Sequence, residues 1–218
     1  MTKETVRRHI LEIGIIPSVR TSSADDARFA VETVAEAGIP IVEITMTVPG
    51  ALVVVAELAG AMPELVVGAG TILDIETARR CADAGARFLT SPGLDPEIVA
   101  FALTAGILAM PGALTPTEVT TAARVGADFI KIFPCAPLGG PSYIQALKGP
   151  FPHIPLVAAG GVNQQTAAEF IVAGAAAIGV GRELIPRKAV LQRDRHWIGE
   201  LARRFLSIIQ EARGHADA

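Results

Sequence analysis

Aromatic side chains make up only 5% of this 218-residue chain, with one tryptophan and one tyrosine. That leaves little from which to build a base-stacking surface. Charge is scarce too: charged residues are 19% of the total and the formal net charge is -3. Neither nucleic acid nor an anionic membrane finds an electrostatic footing on such a chain. The two cysteines, Cys81 and Cys135, lie far from any metal-ligand spacing and suit a reducing cytoplasm. His9, His153, His196 and His215 are scattered over expected helices and loops, so no catalytic metal is expected. Met1–Leu11 is polar and mixed in charge, without a secretory apolar core. The longest apolar stretch, Phe170 to Gly181, is too short and glycine-rich to span a bilayer. No nucleophile elbow or kinase-type loop occurs. These absences predict a soluble cytoplasmic protein.

What the chain has is apolar mass. Half its residues are hydrophobic and the mean hydropathy is +0.44, ample for one large core. Low charge with high apolar content also suggests surface buried between subunits. One pattern recurs at intervals of roughly 20 to 25 residues: a short apolar strand, a loop, then an alanine-rich helix. The expected strands are Gly14–Arg20, Ile39–Met46, Leu65–Ile72, Ala86–Ser91, Ile107–Ala113, Asp128–Pro134, Pro155–Gly161 and Ala176–Arg182. Expected helices include Ser23–Ala37, Asp74–Ala84, Asp95–Ala105, Thr115–Val125 and Asn163–Ala173. Ser23, Asp74, Asp95 and the Thr115–Glu118 capping box mark entries. Gly38, Gly85, Gly106, Gly126 and Gly174 mark exits.

Eight strands alternating with helices and no linker predict a single-domain α/β (β/α)₈ barrel over residues 1–218. A helix near Thr2–Leu11 would cap its floor, and Trp197–Glu211 would be the last helix. An open doubly wound sheet is disfavoured because Gly68-x-Gly70 lacks a third glycine in register.

Within that plan one lysine, Lys131, sits in the apolar segment Asp128–Pro134, and one glutamate, Glu43, in Ile39–Met46. A charge on a buried strand must be neutral, paired or in use. Layers inside a barrel are contributed by alternate strands. Lys131 and Glu43 lie on the sixth and second strands, so they can share a layer and face each other across the lumen. A lysine facing a glutamate is the equipment of Schiff-base chemistry, with the amine attacking a ketone and the carboxylate moving protons. The bland alternative is a buried ion pair that does no chemistry.

Barrel sites form at strand C-termini. There the chain delivers Arg20, Thr45 and Thr47, Gly68-Ala69-Gly70-Thr71, Thr90-Ser91-Pro92-Gly93, Gly160-Gly161 and Gly179-Val180-Gly181-Arg182. The glycine pairs of the seventh and eighth strands, followed by helix N-termini, fit a phosphate site, with Arg182 as a forked cation. They could equally mark tight turns. Arg187, Lys188, Arg193 and Arg195 form a basic run after the eighth strand that reads as a solvated face.

The ordered set Glu43-Ile44-Thr45, Val67–Thr71, Ser91-Pro92-Gly93, Pro111-Gly112, Thr115–Glu118, Lys131–Pro134, Lys148–Phe151 and Gly160-Gly161-Val162 resembles the class I 2-keto-3-deoxy-6-phosphogluconate (KDPG) aldolases and 4-hydroxy-2-oxoglutarate (KHG) aldolases. The resemblance implies retro-aldol cleavage on a homotrimeric barrel with neither metal nor organic cofactor. It makes Lys131 the imine-forming residue and Glu43 the general acid/base. Thr71 and Pro92, with Arg20 at the neighbouring strand end, would hold the pyruvate carboxylate. Gly160, Gly161, Gly181 and Arg182 would hold phosphate. Phe133 accompanies Lys131 on its strand face. Three departures bear on specificity: Thr47 where many members have arginine, Ala159 where threonine is common, and Arg182 in place of serine. The products would be pyruvate with glyceraldehyde 3-phosphate, or with glyoxylate from KHG. The galactonate epimer and non-phosphorylated 2-keto acids are alternative substrates. A phosphate-binding barrel isomerase or synthase, or a non-catalytic ligand-binding barrel, are the readings of other classes.

Overall fold

A computed structural model describes residues 1–216, with the backbone alone for the last two of these, so the side chain of His215, one of the four scattered histidines, lies outside the described residues. The strands are β1 (Ile15–Val19), β2 (Ile41–Thr45), β3 (Val66–Gly70), β4 (Phe88–Thr90), β5 (Leu108–Met110), β6 (Gly112–Ala113), β7 (Ile130–Ile132), β8 (Leu156–Ala159) and β9 (Ala177–Val180). They form one parallel sheet in the order β5-β4-β3-β2-β1-β9-β8-β7-β6. The sheet closes on itself because β5 and β6 are halves of one strand. Pro111, which has no N–H to give a ladder, separates them. The carbonyls of Ala109 and Pro111 still accept from Phe129 and Lys131 across the seam. The expected continuous strand Ile107–Ala113 is therefore broken at its proline. Counted around the barrel, β7, β8 and β9 are its sixth, seventh and eighth strands.

The helices are α1 (Lys3–Ile13), α2 (Ala24–Glu36), α3 (Ala51–Ala61), α4 (Ile75–Asp83), α5 (Pro96–Thr104), α6 (Pro116–Arg124), α7 (Pro141–Lys148), α8 (Ala167–Val172), α9 (Arg187–Leu191) and α10 (Arg195–Ala216). The entry caps form as the sequence predicts. Ser23, Asp74 and Asp95 each accept a first-turn amide, and Thr115 with Glu118 completes a capping box. Glycines past five helices take φ between 68° and 101°, the left-handed exit that residues with a Cβ resist.

Two expectations change. The helix expected from Asn163 begins at Ala167, because Asn163 and Thr166 bond each other's side chains and amides in a preceding turn. The basic run after the last strand is not a loose solvated face either. Arg193 pairs with Asp25 and Asp26, and Arg195 with Glu32 and Glu36. Both guanidinium groups lie over the Phe29 ring, at 4.8 and 5.1 Å from its centroid. These contacts clamp the end of the chain against α2.

Two cores result. The larger lies between the sheet and the helices, and the smaller fills the barrel's floor with Ile41, Phe88, Leu108 and Phe129 packed against Val6 and Ile10 of α1. α1 thus plugs the bottom, held by a 2.8 Å ion pair from Lys3 to Asp128. No helix among the described residues is long and apolar enough to cross a membrane. The floor is tightly built: any Cβ at Gly68 would overlap the fully buried Phe88 ring. Phe88→Ala should cost about 3–5 kcal/mol of unfolding free energy in urea denaturation, since the plug cannot collapse into the space.

Candidate active site

Inward residues alternate along each strand. On β2 they are Ile41, Glu43 and Thr45; on β7, Lys131, preceded by Phe129 and followed by Phe133. Lys131 Nζ stands 3.6 Å from Glu43 Oε2, with the two side chains 12% and 5% exposed. The contact crosses the lumen and joins the second and sixth strands in one layer, as the strand count predicts. The Ser18 hydroxyl on β1 donates to Glu43 Oε1 at 2.9 Å. Any Cβ at Gly70 would collide with the Glu43 carboxylate, so the glycine at the end of β3 makes room for it. Lys131 Nζ also lies 5.6 Å from the Phe133 ring centroid.

Above the pair opens a cavity of about 700 Å³. Its walls carry every residue nominated from the sequence for the carboxylate and phosphate sites: Arg20, Thr71, Pro92, Gly160, Gly161, Gly181 and Arg182. Ala159 and Phe133 line it as well, while Ile16, Met110 and Val157 form its bottom. Thr47 stands behind the wall rather than on it. Arg20 Nη1 donates to Thr47 Oγ1 at 3.1 Å and Nη2 reaches Thr71 Oγ1 at 3.4 Å. Thr47 also bonds Thr45 at 2.8 Å. A guanidinium carried by the residue after β1 thus stands beside Thr71, where position 47 itself offers only a hydroxyl.

Thr71 holds φ at 61°, a conformation that costs a β-branched residue about 1–3 kcal/mol. Such strain persists only where surrounding structure enforces it, and here it sits on the cavity wall.

The phosphate-type end is less like the expectation. Gly160 and Gly161 have φ of 86° and 90°, and side chains there would crowd Pro134, Phe133 and Ala136. Close packing alone thus requires both glycines. The late start of α8 removes the helix N-terminus expected directly after them. Arg182 faces the cavity rim, next to Glu183, which the sequence reading did not nominate. Ser18 was missed as well; its signal was the two-residue alternation Ile16, Ser18, Arg20 along β1. Burial pushes the Cys81 and Cys135 thiols up to about 11, so neither supplies a thiolate nucleophile near neutral pH.

Comparison with known proteins decides the family. The model of the KDPG and KHG aldolases matches residues 6–201. The chain belongs to that aldolase family. A 2-dehydro-3-deoxy-phosphogluconate aldolase of Pseudomonas aeruginosa is 30% identical over 204 residues, covering 94% of this chain and 93% of its own length. A 2-dehydro-3-deoxy-6-phosphogalactonate aldolase of Escherichia coli is 34% identical over 175 residues, covering 79% and 85%. Among solved structures, the Legionella pneumophila KDPG aldolase with pyruvate captured as a covalent carbinolamine superimposes with a TM-score of 0.84 at 27% identity, covering 91% of this chain and 96% of its own.

This aldolase fold leaves Gly70 no latitude. Gly70→Ala should leave a folded protein whose turnover drops by about 10²-fold or more, because the displaced carboxylate leaves the geometry it needs. Steady-state assay alongside circular dichroism checks this.

Proposed function

We propose that this chain is a class I aldolase that cleaves KDPG to pyruvate and glyceraldehyde 3-phosphate, with KHG as a second substrate. The observation that carries the reading is the buried Lys131–Glu43 contact at the bottom of an open cavity. The Lys131 amine adds to C2 of the 2-keto acid, and loss of water gives an imine. Glu43, steadied by Ser18, takes the C4 hydroxyl proton. The C3–C4 bond breaks and its electron pair flows into the imine, releasing the aldehyde and leaving a pyruvate enamine. A proton returned to C3 and a water added at C2 free pyruvate and restore the lysine.

In this reading Arg20 and Thr71 hold the pyruvate carboxylate and Pro92 closes the same pocket. Arg20 is suited to the task by its forked donors and its place against Thr71. Gly160, Gly161, Gly181 and Arg182 take the phosphate, and Ala159, Phe133 and Thr47 shape the aldehyde's surroundings. The galactonate epimer is the second substrate reading, favoured by the 34% identity to an aldolase named for it. We place the chain in the cytoplasm, where two free cysteines remain reduced. Its assembly is a homotrimer; Val53, Leu73 and Leu103, exposed by 57%, 68% and 38% on or beside α3, α4 and α5, are apolar surface for contact between copies.

Pyruvate release from KDPG, its galactonate epimer and KHG tests the function. Turnover of at least one is expected, and its rank order reads the aldehyde half; turnover of none contradicts the proposal. Glu43→Gln should slow the accepted substrate by about 10²–10⁴-fold. Arg182→Ala should raise KM for phosphorylated substrates by about 10-fold or more while leaving KHG cleavage nearly unchanged.

A further inference from the structure

Six polar or charged residues are buried among the described ones: Asp26, Thr33, Glu43, Thr45, Thr90 and Ser91. Five have partners. Asp26 accepts from Ser22 and pairs with Arg193, and Glu43 is held by Ser18. Thr33, Thr45 and Ser91 donate to the carbonyls of Phe29, Val19 and Gly93. Thr90, 1% exposed, has a hydroxyl with no hydrogen-bond partner. The other buried unpartnered side-chain atom, His9 Nδ1, belongs to the plugging helix α1. An orphaned hydroxyl is costly, and a valine would occupy nearly the same volume without that cost.

Thr90's place in the barrel gives the hydroxyl a use. It lies on β4, on the inward face that also carries Phe88 and then Pro92. The Lys131–Glu43 contact fixes one level across the lumen through the second and sixth strands. The even strands between them contribute to that same layer. The register steps from Glu43 through Gly68 to Phe88, and from Lys131 through Val157 to Ala177. The tilt of the strands staggers the barrel by about one residue per strand, which raises the level by two residues over two strands, to Thr90 and to Gly179. In that layer the strand of Thr90 lies between those of Glu43 and Lys131 and across from that of Gly179. Gly179 has no side chain and lines the cavity, so the open space reaches down to this layer. Ala159, on the same side as Gly179, offers only a methyl group.

We propose that the Thr90 hydroxyl is a further catalytic donor, hydrogen-bonding the C2 oxygen of the 2-keto acid while Lys131 adds to that carbon. This rests on the reading that Lys131 forms the imine. As the C2–N bond forms, the carbonyl π pair moves onto oxygen, and a proton leaving nitrogen reaches that oxygen through Glu43. The carbinolamine's C2–O bond then breaks as Glu43 delivers the proton it took when the Lys131 ammonium became a free amine, so water departs and the nitrogen keeps one proton as an iminium, the electron sink for the later cleavage. Thr90 keeps its own proton throughout and stabilises the charge that gathers on the oxygen. Its missing partner in the free protein is the oxygen that the substrate brings.

The test is the rate of borohydride trapping with pyruvate, read from the mass of the chain, for wild type, Thr90→Val, Thr90→Ser and Thr90→Ala. Thr90→Val and Thr90→Ala should form the adduct about 10- to 100-fold more slowly, and Thr90→Ser should restore most of the rate. Thermal unfolding separates this from a packing role, since Thr90→Val should melt no lower than wild type. Serine and alanine differ by one oxygen, so that pair carries the comparison even if valine disturbs the fold. Equal trapping rates in all four proteins overturn the proposal, as does equal slowing of all three variants. A wild-type protein that forms no adduct overturns the Lys131 reading itself, whereas an adduct formed equally fast without the hydroxyl overturns Thr90 alone.

Discussion

The contact between Lys131 and Glu43 is the constraint around which the barrel is arranged. Two ionisable groups buried above a closed floor are tolerated only when each compensates the other and further hydrogen bonds complete their shells. Ser18 provides one such bond. The structure then makes space for the pair by omission. Gly70 yields to the carboxylate, and Gly179 leaves the lumen open on the far side. Below them Phe88, Phe129 and the plugging helix seal the floor, so solvent and substrate arrive from above only. Fixing both groups on strands, not loops, holds their spacing without ordering a mobile segment at each turnover.

The rim follows different physics. Here the chain presents donors to anions: the Arg20 fork beside the strained Thr71 at one end, and Arg182 near the glycine turn at the other. A 2-keto acid with a distal anion has the matching shape, one charge at each end and the reacting carbons between. Glu183 beside Arg182 tempers the positive field at the distal end. In the proposed reading the rim sets affinity for the aldehyde half, while the chemistry below is common to any 2-keto acid that fits.

Much of this was readable from residue order because the signals were local or periodic. Strands, helix caps and glycine exits follow from short-range rules and appear close to where the sequence puts them, apart from the strand broken at Pro111. The Lys131–Glu43 pairing was readable too, although the residues are 88 positions apart (131 − 43), because even strands share layers in an eight-stranded barrel. What escaped depends on side chains choosing partners. Arg20 crossing to Thr47 and Thr71 needs the real spacing between strand ends. Arg193 and Arg195 read as solvated because their carboxylate partners and Phe29 lie on α2, far back in the chain. The Asn163–Thr166 turn competed successfully with the helix expected there, as asparagine and threonine side chains often do. Thr90's unpartnered hydroxyl is invisible in a sequence, where threonine and valine on a buried strand look alike.

Cleavage in this barrel depends on Lys131 acting as a nucleophile rather than as one half of a silent ion pair. Incubation with pyruvate and borohydride, followed by peptide mapping, tests that directly. A reduced pyruvate adduct is expected on Lys131 and on no other lysine, and is lost in Lys131→Ala. An unmodified Lys131, with turnover intact or with the label elsewhere, would contradict it.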